Sequence, residues 1–263
     1  GLPTDKQLFG LEPSEAAPRT NEALEIIWQL LTSEEPVTYE GVYWKYENRQ
    51  LQVGPYQDVP PFAIAGLTGL HNFAKCGARG WKPLSVHFAP IDNGSYDLAP
   101  DLVSMAKAML DAGAEAGIDP AVTRENWRIV REVYVTDDKN QAMRDIREGV
   151  KRSYDYLFGL GLGALMKIGD DMTDADLTFE WMVEHIPWII GSPEDCIRQI
   201  KELEEAVGGF GTLLINCRDW VTTDKWNRSL ELFARYVMPQ FTPRERLARR
   251  KRMADVALGL AKS

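Results

Sequence analysis

Histidine and cysteine are scarce in this chain, with three of each in 263 residues. Cys76, Cys196 and Cys217 are odd in number and widely spaced. That argues against a disulfide framework and makes a reducing cytosol the default compartment. There is no CxxC and no HExxH pattern, so a structural zinc site is not expected. Basic residues are outnumbered: 30 Lys and Arg face 39 Asp and Glu, a net charge of −9. A nucleic-acid partner needs a basic footprint. The single basic run, Arg244 to Arg252, reads instead as the solvated face of a C-terminal helix. No apolar run approaches the ~20 residues that span a bilayer. A signal-peptide pattern is also missing, a reading that an absent N-terminal segment would void. A GxGxxG after a first strand is absent too, which removes the usual dinucleotide fingerprint.

What is present is ordinary globular material, 44% hydrophobic and 26% charged, enough for a sizeable core in one large domain or two small ones. The opening GLPTDKQLFG reads as a turn, from Gly1, Pro3 and Thr4-Asp5. Arg19 to Leu31 is an amphipathic helix with Ala23, Leu24, Ile27, Leu30 and Leu31 on one face. VTYEGVYWKYENRQLQV, aromatic and β-branched with Gly41 and Asn48 as breakers, predicts a hairpin or a pair of short strands.

A strand–helix alternation then begins. Phe62 to Ala65 is a short apolar run between Pro-Pro and Gly, the pattern of a strand buried on both faces. A helix follows at about Leu70 to Lys75. WKPLSVHFAP, WRIVREVYVT and GGFGTLLIN are the next strands. Helices are predicted over Asp101–Ala116, from Asp137-Asp138 to about Phe158, and from Asp224 to Val237 ahead of Pro239. GSPEDCIRQIKELEEA carries the strongest helix signal: Ser192 as cap, Pro193 at the first position, Asp195 closing a capping box. Residues 159 to 190 read as irregular. Four buried parallel strands argue for an α/β architecture, either part of a barrel or a small doubly wound sheet.

In such folds ligands gather at the carboxyl ends of strands. The first strand is followed by Gly66, Leu67, Thr68 and Gly69. This is either a phosphate cradle, with close backbone approach and a helix N-terminus, or a tight turn that binds nothing. Ser85 and His87 follow the second strand; His87 is either a proton carrier or a packed side chain. Asn216, Cys217, Arg218, Asp219 and Trp220 follow the last. Cys217 is not expected to be a nucleophile, with no histidine nearby in sequence. Asp170, Asp171, Asp174 and Asp176 do not match an EF-hand spacing and read as solvated loop acids. Trp181, Trp188 and Trp220 either line an apolar pocket or belong to the core.

Several stretches taken together, LPTDKQLFGLEPSEAAPRTNEALEIIWQLL, EPVTYEG, PPFAIAG, WRIVREVYVTDDKNQA, IIGSPEDCIRQIKELEEAVGGFGTLLIN and RSLELFARYVMPQF, resemble the luciferase-like flavin-dependent monooxygenases, in their limonene-monooxygenase-like branch. The resemblance runs to about Phe241. It implies a (β/α)8 TIM barrel, of which this chain would hold the C-terminal part, strands five to eight, with a long insertion after strand seven. Residues 1–241 would be the luciferase-like domain and 242–263 a charged helical tail. LPTD would then be the loop that leaves a fourth strand.

The resemblance further implies reduced FMN, supplied by a separate NAD(P)H-dependent flavin reductase, and attack of O2 at the flavin C4a to give a peroxyflavin that oxidises a small apolar substrate such as a terpene or an aldehyde. The deazaflavin F420 is the alternative cofactor, and an inactive half-barrel fragment the alternative fate. Gly66, Leu67, Thr68 and Gly69 would face the FMN phosphate, with Thr68 the only hydroxyl among them. Leu84 and Ser85 would lie near the flavin ring, and His87, Trp188 and Trp220 along the substrate pocket. A homodimer in the cytoplasm is implied, with no metal, no nucleic acid and no membrane.

Overall fold

The computed structural model describes residues 3–66, 69–86, 88–92, 101–167 and 171–241. The chain divides into two compact units between Ala63 and Ile64.

The first unit holds helices α1 (Pro3–Leu8) and α2 (Pro13–Thr32) and strands β1 (Val37–Glu40) and β2 (Lys45–Arg49). The opening stretch is therefore helical from Pro3 rather than a turn. Proline at the first helical position carries a preset φ, and Asp5 in the first turn complements the helix dipole. Helix α2 starts six residues earlier than its apolar stripe suggests and runs through Pro18. Strands β1 and β2 form the expected antiparallel hairpin, Val37 opposite Arg49 and Glu40 opposite Lys45. A carboxylate from α2 holds the turn between them. Glu22 accepts backbone N–H bonds from Val42 (3.1 Å), Tyr43 (3.1 Å) and Trp44 (2.8 Å). Arg19 lies over the Tyr43 ring at 4.6 Å, and Trp28 meets Phe62 edge-on at 5.7 Å.

The second unit carries the strand–helix alternation. In order it runs β3 (Ala63–Gly66, shared with the unit boundary), α3 (Leu70–Arg79), β4 (Lys82–Ser85), α4 (Leu102–Glu115), α5 (Pro120–Asn126), β5 (Arg128–Val135), α6 (Lys139–Gly159), α7 (Phe179–His185), β6 (Ile189–Gly191), α8 (Pro193–Val207), β7 (Thr212–Asn216) and α9 (Thr223–Leu232). The five strands form one sheet in the order β3-β4-β5-β6, with β7 also on β5. β5 is the hub. It pairs in parallel with β4 at Leu84↔Arg128, with β7 from Arg128↔Thr212 to Glu132↔Asn216, and with β6 from Val133↔Ile189 to Val135↔Gly191.

Two expectations change here. The segment 159–190 is not wholly irregular, since it contains two 3-10 turns, α7 and the start of β6. β3 and β7 are apolar but not buried on both faces. Ala63 and Ala65 are exposed, and all five residues of β7 are half-buried. β3 ends the strand path and β7 pairs only with β5 among the described residues, so neither has neighbours on both edges. The last helical stretch reaches Val237 as expected, α9 to Leu232 and then a wider π turn over Phe233–Val237, with a 3-10 turn over Met238–Gln240 after it. The charged tail from Pro243 lies outside the described residues.

Three apolar clusters hold this unit. One joins Phe73, Leu102, Met105, Met109, Trp127 and Ile129. Another joins Val133, Val135, Ile189, Cys196, Ile200 and Leu232. The third surrounds Tyr134, Ile146, Val150, Tyr154, Trp188 and Trp220. Helix α8 is built as its sequence signals: the Ser192 hydroxyl accepts from the Asp195 N–H at 3.2 Å, and the Asp195 carboxylate accepts from the Ser192 N–H at 3.2 Å. Gly149 lets α6 lie directly on the Trp220 backbone, where a Cβ would collide with main-chain atoms.

Candidate active site

Successive side chains of a strand point to opposite faces. On β5 this places two adjacent, oppositely charged, fully buried residues, Arg131 and Glu132, on either side of the sheet. The Arg131 guanidinium donates to the carbonyls of Val86 (3.1 Å), Ala89 (2.9 Å) and Val130 (2.9 Å). Burial pulls its pKa down to about 10, against the opposing pull of Glu132. On the other face Glu132 Oε1 accepts from Asn216 Nδ2 (3.3 Å) and Arg218 Nε (3.2 Å). Burial raises the Glu132 pKa, and the Arg218 and Arg131 charges oppose that rise. The two residues thus reach the segments leaving β4 and β7, at the carboxyl ends of both strands. In the sequence this pair was visible as an R-E step inside the apolar run RIVREVYV, the signal that pattern reading passed over.

Beside Glu132 lies an aromatic row. Tyr154 of α6 meets Trp188 at 5.9 Å between ring centroids, Trp188 meets Trp220 at 5.1 Å, and Phe158 and Phe179 flank them at 6.1 and 6.5 Å. Burial and the Glu132 charge push the Tyr154 phenol well above its ordinary range. Trp188 and Trp220 are thus brought together. Both are buried in one cluster, and Trp188 also forms part of the wall of a crevice of about 440 Å³ with Met143, Val183 and Pro187.

The chain enters α3 through Gly69. Gly69 caps α3 at φ +94°, a conformation that favours glycine. No side chain bonds the cap, and the first turn of α3 contains no acid. Of the early N–H groups, that of Asn72 donates to the Gly69 carbonyl at 3.2 Å. Gly66 ends β3, while Leu67, Thr68 and His87 lie outside the described residues. Leu84 is half-buried and pairs with Arg128. Ser85 is buried, and its hydroxyl donates to the Arg128 carbonyl at 3.4 Å. Among the described residues no group of three or more His, Cys, Asp and Glu is arranged to hold a metal. Asp174 pairs with Lys167 at 2.8 Å, and the Asp176 carboxylate accepts from the Thr173 N–H at 2.7 Å. Cys76 and Cys196 are buried thiols pushed up to about 12 by that burial, and burial also raises the Cys217 thiol. None is set up as a thiolate nucleophile.

The α/β arrangement has known counterparts. The oxygenating constituent of 3,6-diketocamphane monooxygenase from Pseudomonas putida, a type II Baeyer-Villiger monooxygenase solved in complex with FMN, superposes with a TM-score of 0.72. It is 23% identical, and the match covers 92% of this chain and 69% of that one. Among curated proteins, 4-hydroxyprotoasukamycin monooxygenase of Streptomyces nodosus subsp. asukaensis is 32% identical over 242 residues, 91% of this chain and 63% of the relative. Limonene 1,2-monooxygenase of Rhodococcus erythropolis is 26% identical over 257 residues, 91% of this chain and 58% of the relative. The chain thus spans about three fifths of the length of these curated relatives. The model of the luciferase-like monooxygenases matches residues 1–208, a stretch that includes the glycine turn, the Arg131–Glu132 step and Trp188, and the chain belongs to that family.

Proposed function

We propose that this chain is the oxygenating part of a flavin-dependent monooxygenase that inserts oxygen into a small, largely apolar organic molecule such as a terpene, a cyclic ketone or an aldehyde. Family membership across residues 1–208 carries this reading. Reduced FMN, when bound, supplies the two electrons that let one atom of O2 enter the product while the other leaves as water. The chain's own residues bind, orient and keep water out. Gly66, Leu67, Thr68, Gly69 and the first N–H groups of α3 take the phosphate. Leu84 and Ser85 lie on the ring side. His87, Trp188 and Trp220 line the substrate side, where the aromatic row excludes water. The reduced flavin comes from a separate NAD(P)H-dependent reductase, and the protein works as a homodimer in the cytoplasm. Among the described residues no helix is long and apolar enough to cross a membrane.

FMN is favoured over F420 because the diketocamphane enzyme, whose fold this chain shares, was solved with FMN. The test is parallel titration of the chain with FMN, riboflavin and F420, followed by flavin fluorescence. FMN binding about tenfold more tightly than riboflavin is expected from a phosphate seated on a helix N-terminus. Equal affinity for the two removes the phosphate assignment, and preference for F420 replaces the cofactor. The incomplete burial of β3 and β7 supports a second reading, in which further strands complete the sheet and this chain alone is inactive. Co-expression with a segment supplying such strands separates the two readings. Flavin bound only by the pair supports the second, and flavin bound by neither preparation overturns the flavin reading.

A further inference from the structure

The hydrogen bonds of Arg131 and Glu132 go to two different places. Arg131 spans the carbonyls of Val86 and Ala89, which bracket the turn leaving β4. Glu132 holds Asn216, the last residue of β7, and Arg218 just beyond it. Arg218 in turn fixes the next helix, since its carbonyl accepts from Trp226 Nε1 at 2.7 Å and from the Trp220 N–H at 2.8 Å. A strand that needed only burial at these positions would carry two aliphatic residues there. Charge burial costs free energy that aliphatic side chains avoid, and in some proteins buried ionic groups are kept because they specify geometry. The planar guanidinium reaches the two carbonyls from two different nitrogens in a fixed fork, Nη1 to Val86 and Nη2 to Ala89, a geometry that the single nitrogen of an ammonium does not reproduce.

We infer that Arg131 and Glu132 are positioning residues: a two-sided clamp on β5 that fixes the backbone leaving its neighbours β4 and β7, and so sets the rim of the candidate active site. The inference rests on the proposed function only in calling that rim the flavin and substrate side. The clamp itself is read from the hydrogen bonds.

Hydrogen exchange on the intact chain tests it with four variants. Arg131→Met is expected to speed exchange in segment 88–92 about tenfold, the loss of one charge-assisted bond, and to leave 216–220 unchanged. Glu132→Met is expected to give the reverse pattern. Arg131→Lys, which keeps a charged donor without the two-nitrogen fork, restores part of the protection at 88–92. Glu132→Gln, which still accepts from Arg218, restores part at 216–220. The lysine and glutamine variants also keep the test decisive should either methionine variant fail to fold. Faster exchange spread evenly over all five strands assigns the pair a general structural role and overturns the clamp, as does no change in either segment. A parallel FMN titration is expected to show weaker binding in all four variants. If the parent chain alone takes no FMN, the exchange pattern still decides the clamp, and the co-expressed pair decides the flavin reading.

Discussion

The two units of this chain are stabilised by different means. In the second, the β5 hub is surrounded by fully buried side chains, among them Trp127, Ile129, Tyr134, Tyr154 and Ile189. In the first, only Ile26 and Val37 are buried hydrophobics among the described residues, while Val42, Val53, Tyr56, Leu8 and Phe9 are largely exposed. The turn of its hairpin is held instead by one carboxylate, Glu22, bonded to three consecutive backbone N–H groups. The contrast shows that local pattern is sufficient to place a hairpin, whereas burial decides how much free energy stands behind it. The exposed hydrophobics of the first unit are each normal singly. Their number in one small unit sets it apart from the second, in which the larger apolar side chains are mostly inside.

Removing the anchor of each unit breaks the comparison most sharply. Trp127, fully buried between β5 and α4, is expected to cost about 3–5 kcal/mol as Trp127→Ala, read as a large fall in the main thermal transition. A loss below 1 kcal/mol would show that the second unit does not depend on that cluster. Gly149→Ala forces a methyl onto the Trp220 backbone and is expected to cost about 1–3 kcal/mol in the same transition. A neutral result would mean that α6 and the Trp220 segment separate freely. Glu22→Ala leaves three N–H groups of the turn without their carboxylate. Because these groups are largely open to water, the expected cost is about 1–2 kcal/mol, confined to the first unit. The check is hydrogen exchange at Val42, Tyr43 and Trp44, which should accelerate while β5 amides hold their protection. Equal acceleration in both units would erase the distinction between them.

Most of the second unit was legible in the sequence because its strands are apolar runs with glycine or proline at their ends, and its helices have caps. The segments that pattern reading missed are short. β6 is three residues long and exists through its pairing with β5. α5 and α7 are seven residues each, below the span over which a 3.6-residue period is recognisable. The apolar runs of β3 and β7 predict more burial than these strands have, for a different reason. An apolar run records what a strand is able to bury, and its actual exposure depends on neighbours that the run does not encode. The candidate site divides the same way. The glycine turn and Trp220 follow strand ends that sequence signals locate, whereas Trp188 stands just before β6, a strand too short to signal. The Arg131–Glu132 clamp requires knowing that Val86, Ala89, Asn216 and Arg218 converge on one strand, which only tertiary structure supplies.

The smallest expected effect lies at the start of α8, where sequence and structure agree residue for residue. Ser192→Ala removes the hydroxyl that accepts from the Asp195 N–H and is expected to cost about 1 kcal/mol. The partner carboxylate adds a pH signature. Burial pushes the Asp195 pKa up, but the Ser192 N–H, the Arg198 side chain and the Ser192 hydroxyl outweigh it, and the net pKa lies below the ordinary aspartate range. A carboxylate with a depressed folded-state pKa binds fewer protons folded than unfolded, so its contribution to stability is fully present above the ordinary aspartate pKa. The contribution is lost as pH falls through the lowered folded value. Asp195 is partly exposed, with 28% of its side chain accessible, so solvent screens the effect. Thermal melts of the parent chain and of Asp195→Asn are therefore expected to differ at neutral pH and to converge as pH drops below about 4, the unperturbed aspartate range. Because the second unit is otherwise held by apolar burial, a difference that instead grows on acidification would mean that Asp195 is not an acceptor at this cap.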